Sequence, residues 1–82
     1  MNYKFDIKKQ VSLKFIIADI ESGTEEYFEE EDENILRRMA ESNNLSQGHT
    51  YFNEKSDDMY VLDHICIINE GDQVVVNYFF VM

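Results

Sequence analysis

His64 and Cys66 stand two residues apart in an apolar run, so on a β-strand they would share one face, close enough to share a metal or to act as a nucleophile pair. Zinc needs at least one further ligand, and the only other histidine, His49, lies in a polar stretch without a nearby cysteine. The pair therefore reads as a buried thiol beside a hydrogen-bonded core histidine. No serine sits in a G-x-S-x-G turn, there is no glycine-rich phosphate loop, and the carboxylates are too numerous to single out an acid/base pair. The expectation is a non-enzymatic protein without catalytic residues, metal ligands or a cofactor.

The carboxylates are the second chemical feature. Asp19, Glu21, Glu25, Glu26, Glu29, Glu30, Glu31, Asp32 and Glu33 fall within fifteen residues that contain no Lys or Arg, with Tyr27 and Phe28 in their midst. Such density raises the free energy of the folded state by self-repulsion, so the charges are either splayed into solvent or serve a partner. An EF-hand-type calcium loop does not fit, because Glu29 to Asp32 lacks the central glycine and alternating ligands. Duplex DNA carries one charge per roughly 1.7 Å of axis, and a row of carboxylates can present comparable spacing to a phosphate-binding protein. On this reading Glu25, Glu26, Tyr27, Glu29, Glu30, Glu31, Asp32 and Glu33 form the partner-facing surface, with the aromatic ring as an apolar anchor inside a charged rim.

Whole-chain composition agrees. With 17 acidic and 7 basic residues and a net charge of −10, direct contact with nucleic acid or an anionic membrane is disfavoured, and a basic protein surface is the natural complement. That surface could belong to a nucleic-acid-binding enzyme or nuclease. A single cysteine rules out an internal disulfide, and with no recognisable signal segment the expected location is the cytoplasm.

These groups need a scaffold, and the stretch around which it must form is Met59 to Val81. Two β-branched and aromatic runs flanking Asn69-Glu70-Gly71-Asp72 read as a β-hairpin. Alternation puts Tyr60, Leu62, His64, Cys66 and Ile68 on one face and Val61, Asp63, Ile65 and Ile67 on the other. Both faces are mostly apolar, which predicts a central hairpin with a spare face or edge suited to a homodimer or partner contact. Gly71 suits a two-residue Glu70-Gly71 turn or, preferably, a three-residue Asn69-Glu70-Gly71 loop. Residues 1–19 alternate as one or two strands and hold every lysine but Lys55. After a Ser22-Gly23 turn, a strand from about Glu25 to Glu29 closing a second hairpin is preferred to a helix opened by a Ser22/Glu25 capping box. Ile35, Leu36, Met39 and Ala40 mark a helix from about Glu33 to Ser42, capped by Asp32 and ended at Asn43-Asn44. Thr50 to Asn53 is a short strand.

The expected fold is a single α+β domain spanning residues 1–82, an antiparallel sheet of about four to five strands with the C-terminal hairpin and one helix packed on one face. In class the chain is similar to small, proline-free, acidic α+β proteins, which include phage-encoded inhibitors of host nucleases such as anti-CRISPR and anti-restriction proteins. The analogy implies an inhibitor that mimics nucleic acid in the host cytoplasm. The alternative is an interaction, oligomerisation or immunity-type module that uses the two-faced hairpin.

Overall fold

A computed structural model describes residues 10–82. The part of the expected strand pattern that falls on residues 1–9, with Tyr3, Phe5 and Ile7 alternating against Lys4, Asp6 and Lys8, lies outside the described residues. Five strands, β1 (Gln10–Asp19), β2 (Thr24–Tyr27), β3 (Thr50–Asn53), β4 (Asp58–Glu70) and β5 (Gln73–Val81), form one sheet in the order β2-β1-β5-β4-β3, with the helix α1 (Glu30–Glu41) between β2 and β3 in sequence. The architecture is α+β as expected, but the sheet is mixed rather than antiparallel. β5 runs parallel to β1 on one side and antiparallel to β4 on the other, with Phe15 opposite Tyr78 and Leu62 opposite Phe80. A strand apolar on both faces is most stable where neighbours flank it on both sides, and β5 occupies that central place.

The hairpin turn has two residues but lies one position beyond the expected Glu70-Gly71 turn, and it is tighter than the preferred three-residue loop. Glu70 pairs with Gln73, leaving Gly71-Asp72 as the loop, with φ +65° at Gly71 alone, as a type II′ turn requires. No atom would meet a Cβ at Gly71, so Gly71→Ala adds backbone strain only. Urea unfolding should show a loss of about 1 kcal/mol.

A bulge between Leu62 and His64 corrects the expected faces. Leu62 pairs with Phe80 while His64 pairs with Phe79, so Asp63 is the extra residue and the side-chain alternation reverses beyond it. Tyr60, Leu62, Ile65 and Ile67 therefore share the helix face, and His64, Cys66 and Ile68 take the opposite one. Cys66 and His64 are exposed, not buried as expected. His64 stacks on Phe79 at 4.5 Å, and its Nδ1 lies 2.9 Å from the Asp63 carboxylate.

The core lies between α1 and the sheet. Phe15, Leu36, Leu62 and Phe80 are fully buried, with Phe28, Leu45, Tyr60 and Tyr78 around them. Phe15 and Tyr78 stack at 5.0 Å, and Phe28 meets Tyr60 and Phe80 edge-on at 5.0 and 5.2 Å. The helix supplies Leu36, Met39 and Ala40. It begins at Glu30, three residues before the apolar stripe leads one to expect. Its acidic first turn is favoured by the positive end of the helix dipole rather than by apolar burial. Glu29, not Asp32, is the N-cap, and its side chain makes no capping bond.

The expected Asn43-Asn44 ending is a Schellman motif. Asn43 takes φ +60°, its N–H donates to Ala40 O and that of Asn44 to Met39 O, and Leu45 is buried beyond. Helix length then sets what is covered. Twelve helical residues span roughly 18 Å, whereas the thirteen residues of β4 span roughly 43 Å. The turn end of the hairpin projects beyond the helix, which leaves Ile65 and Ile67 exposed on the helix face.

Candidate functional site

The acidic segment enters the fold at the C-terminal end of β1 and β5. The β1–β2 hairpin turns through Ile20–Gly23, where the Asp19 carboxylate accepts N–H bonds from Glu21 (3.0 Å) and Ser22 (3.4 Å). The bonds from Ser22 hold the Asp19 carboxyl below the usual range. Register then places Glu26 opposite Ile17 and Tyr27 opposite Ile16, and the next residue, Phe28, turns into the core. The chain passes through Glu29 into α1, whose first turn faces β3 and the β3–β4 turn.

Two contacts fix this junction. The Tyr51 hydroxyl donates to Asp32 Oδ1 at 2.6 Å and Asn53 Nδ2 donates to Asp32 Oδ2 at 2.9 Å, which ties the helix start to β3. Lys55 Nζ donates to Glu31 at 2.7 Å across the mouth, and this hydrogen bond raises the pKa of the lysine. Between these elements lies a cleft of about 680 Å³. Carboxylates of Glu26, Glu29, Glu31, Asp32, Glu54 and Asp58 line it together with Phe28, Tyr51 and Tyr60, while Tyr27, paired with Ile16, and Phe52, paired with Met59, border it from positions whose side chains take the opposite sheet face. Among the described residues Lys55 is its only cation. A second hollow of about 780 Å³ shares the wall formed by Ile17, Glu26, Asp58 and Tyr60 and adds Asp19 and Glu21. Tyr27 is 64% exposed, and its pairing with Ile16 puts its ring on the sheet face away from the helix, the face that carries Phe79.

Of the residues singled out in the sequence, Glu26, Glu29, Glu31 and Asp32 are brought together here, and Tyr27 borders the cleft with its ring on the far face of the sheet rather than as the expected anchor inside a charged rim. Three others are not. Glu25, on β2, pairs opposite Ala18, Glu30 is exposed in the first helical turn and does not line the cleft, and Glu33 is held by Arg37 at 3.0 Å. Glu54, Asp58, Tyr51, Phe52 and Tyr60 were missed. Their only sequence signal is the second, weaker run of acids in Glu54–Asp58, some thirty residues from the first. Among the described residues no group of three or more His, Cys, Asp or Glu is placed to hold a metal ion, and no helix is long and apolar enough to cross a membrane.

No family model matches the chain, and neither curated proteins nor solved structures give a match.

The cleft has chemistry of its own. A concave surface rimmed by carboxylates attracts guanidinium or ammonium groups through charge. Burial, then the bond to Asp32 and the surrounding negative charge, pushes the Tyr51 phenol well above the usual tyrosine range. Burial likewise raises Tyr60 and Tyr78. A pKa raised by folding contributes stability that is intact below the unfolded value of about 10 and is lost as pH climbs from there toward the folded value. Thermal melts should therefore fall in midpoint above about pH 10, and Tyr51→Phe should show a shallower fall than the wild type.

Proposed function

We propose that the protein is a stoichiometric, non-enzymatic inhibitor that acts in the cytoplasm by setting its acidic cleft end against the basic, normally nucleic-acid-binding site of a partner protein. The observation that carries this reading is the convergence of six carboxylates on one cleft in which, among the described residues, Lys55 is the only cation. Two of those carboxylates, Glu54 and Asp58, come from a segment remote from the main acidic run, so the cleft is more than one crowded stretch of chain. Self-repulsion of this kind opposes folding, and a basic partner relieves it. Six carboxylates brought together on one concave surface support binding by charge as the function of the site.

The experiment is capture of cytoplasmic proteins on the immobilised chain, followed by displacement with duplex DNA and with salt. The expected result is a retained nucleic-acid-binding protein that DNA displaces and that associates more slowly as salt shortens the screening length to about 8 Å or less. Retention of partners insensitive to both DNA and salt would favour the alternative, an immunity-type module. The observation that supports that alternative is the uncovered apolar hairpin end carrying Ile65, Ile67 and Ile68.

A further inference from the structure

β4 is two strands' worth of edge for one strand's worth of partner. β3 pairs only with Asp58–Val61, and the N–H and C=O of Leu62 are taken by His49 O and Gly48 N, both at 2.8 Å. Among the described residues nothing pairs with the outer edge from His64 to Glu70. Because Glu70 and Gln73 close a two-residue turn, they exchange both hydrogen bonds, and the alternation that follows points the N–H and C=O of Ile65, Ile67 and Asn69 away from β5. Edges of this length are ordinarily blunted by charge, proline or a bulge. Here the bulge and Asp63 stand at one end and Glu70 at the other, and Ile65-Cys66-Ile67-Ile68-Asn69 between them has none of these devices.

We propose that this edge pairs antiparallel with the same edge of a second copy, about a two-fold axis at Ile67. Three registers keep each sheet face continuous. An axis at Cys66 sets Glu70 against Leu62, whose backbone groups are already bonded to the loop. An axis at Ile68 sets Ile65 against Gly71 in the turn and leaves His64 unpaired. An axis at Ile67 uses the whole open stretch, with Ile65 opposite Asn69, Cys66 opposite Ile68, and His64 opposite Glu70 at both ends of the seam. That register matches each Glu70 carboxylate with an imidazole whose Nε2 is left over by the Asp63 contact, so the one acid inside the seam is not set against another acid. It also joins the projecting apolar ends of both hairpins, where Ile67 is 60% exposed, into one continuous surface.

Sedimentation equilibrium of the full chain should find a dimer at high micromolar concentration. Ile67→Lys, which puts two ammonium groups on the axis, should raise the dissociation constant by at least about tenfold, while circular dichroism stays that of the wild type. Crosslinking supplies a second readout that does not depend on that variant. Under mild oxidation Cys66→Ser/Ile67→Cys should form a covalent dimer faster than the wild type does through Cys66, because opposed positions on paired strands lie within disulfide reach. A wild-type monomer at these concentrations would overturn the proposal, as would a dimer that Ile67→Lys leaves intact. Faster crosslinking through Cys66 than through position 67 would overturn the register.

Discussion

Replacing Phe80 with alanine should cost about 3–5 kcal/mol, a loss large enough to unfold much of the population at ambient temperature. Phe80 has no exposed surface, lies on the central strand opposite Leu62 and Ile17, and receives the Phe28 ring edge-on at 5.2 Å. Its ring is therefore shared by three strands and the β2–α1 connection, and the void left by truncation cannot collapse onto one mobile side chain. Reasoning from the sequence pattern would choose Ile65 and Phe79 for this experiment. Ile65 is 38% exposed on the projecting part of the hairpin, and Phe79 is half-buried on the face away from the helix. Ile65→Ala should accordingly cost less than half as much as Phe80→Ala. Urea unfolding of the two variants side by side measures the ordering, and equal losses would show that the helix-facing cluster is not the stabilising centre.

The second large effect concerns binding. Glu26→Lys/Glu54→Lys should weaken the DNA-displaceable complex by at least about 2 kcal/mol, roughly thirtyfold, with much of the change in the association rate. Both residues line the cleft, both are exposed, and they enter it from opposite sides, β2 and the β3–β4 turn. Folding stability should stay within about 0.5 kcal/mol or rise, because an exposed charge is exchanged and local repulsion relieved. The choice of positions matters. Reversing Glu30 and Glu31 would also remove the negative charges that favour the helix N-terminus, an effect of about 0.3–1 kcal/mol for each charge, and would break the Glu31–Lys55 contact. Loss of binding would then be confounded with loss of structure. Unchanged binding in the Glu26/Glu54 variant, with unchanged salt dependence, would mean that the cleft acids only solubilise the chain.

Most elements were legible because each carries its own local signal. The β4–β5 hairpin follows from two long β-branched runs around Gly71, β3 from Thr50-Tyr51-Phe52-Asn53, and the helix ending from Asn43-Asn44, a pair that tolerates the left-handed conformation a Schellman motif needs. The helix start was read late because its first turn is held by charge and by Asp32 bonds to β3, neither of which leaves an apolar period.

What the sequence by itself determined was the class of the fold, the hairpin at its centre, the position of the helix and the concentration of negative charge. The tertiary structure alone decided the parallel pairing of β1 with β5, because which strand lies beside which depends on contacts between residues some sixty positions apart. It also decided the reversal of faces at Asp63, since a single inserted residue leaves no mark in a run where both faces are apolar. The cleft belongs to the same category. Glu26 and Glu29 become part of a site when β3 and its turn bring Tyr51, Glu54 and Asp58 across from them, and no periodicity in the chain encodes that approach.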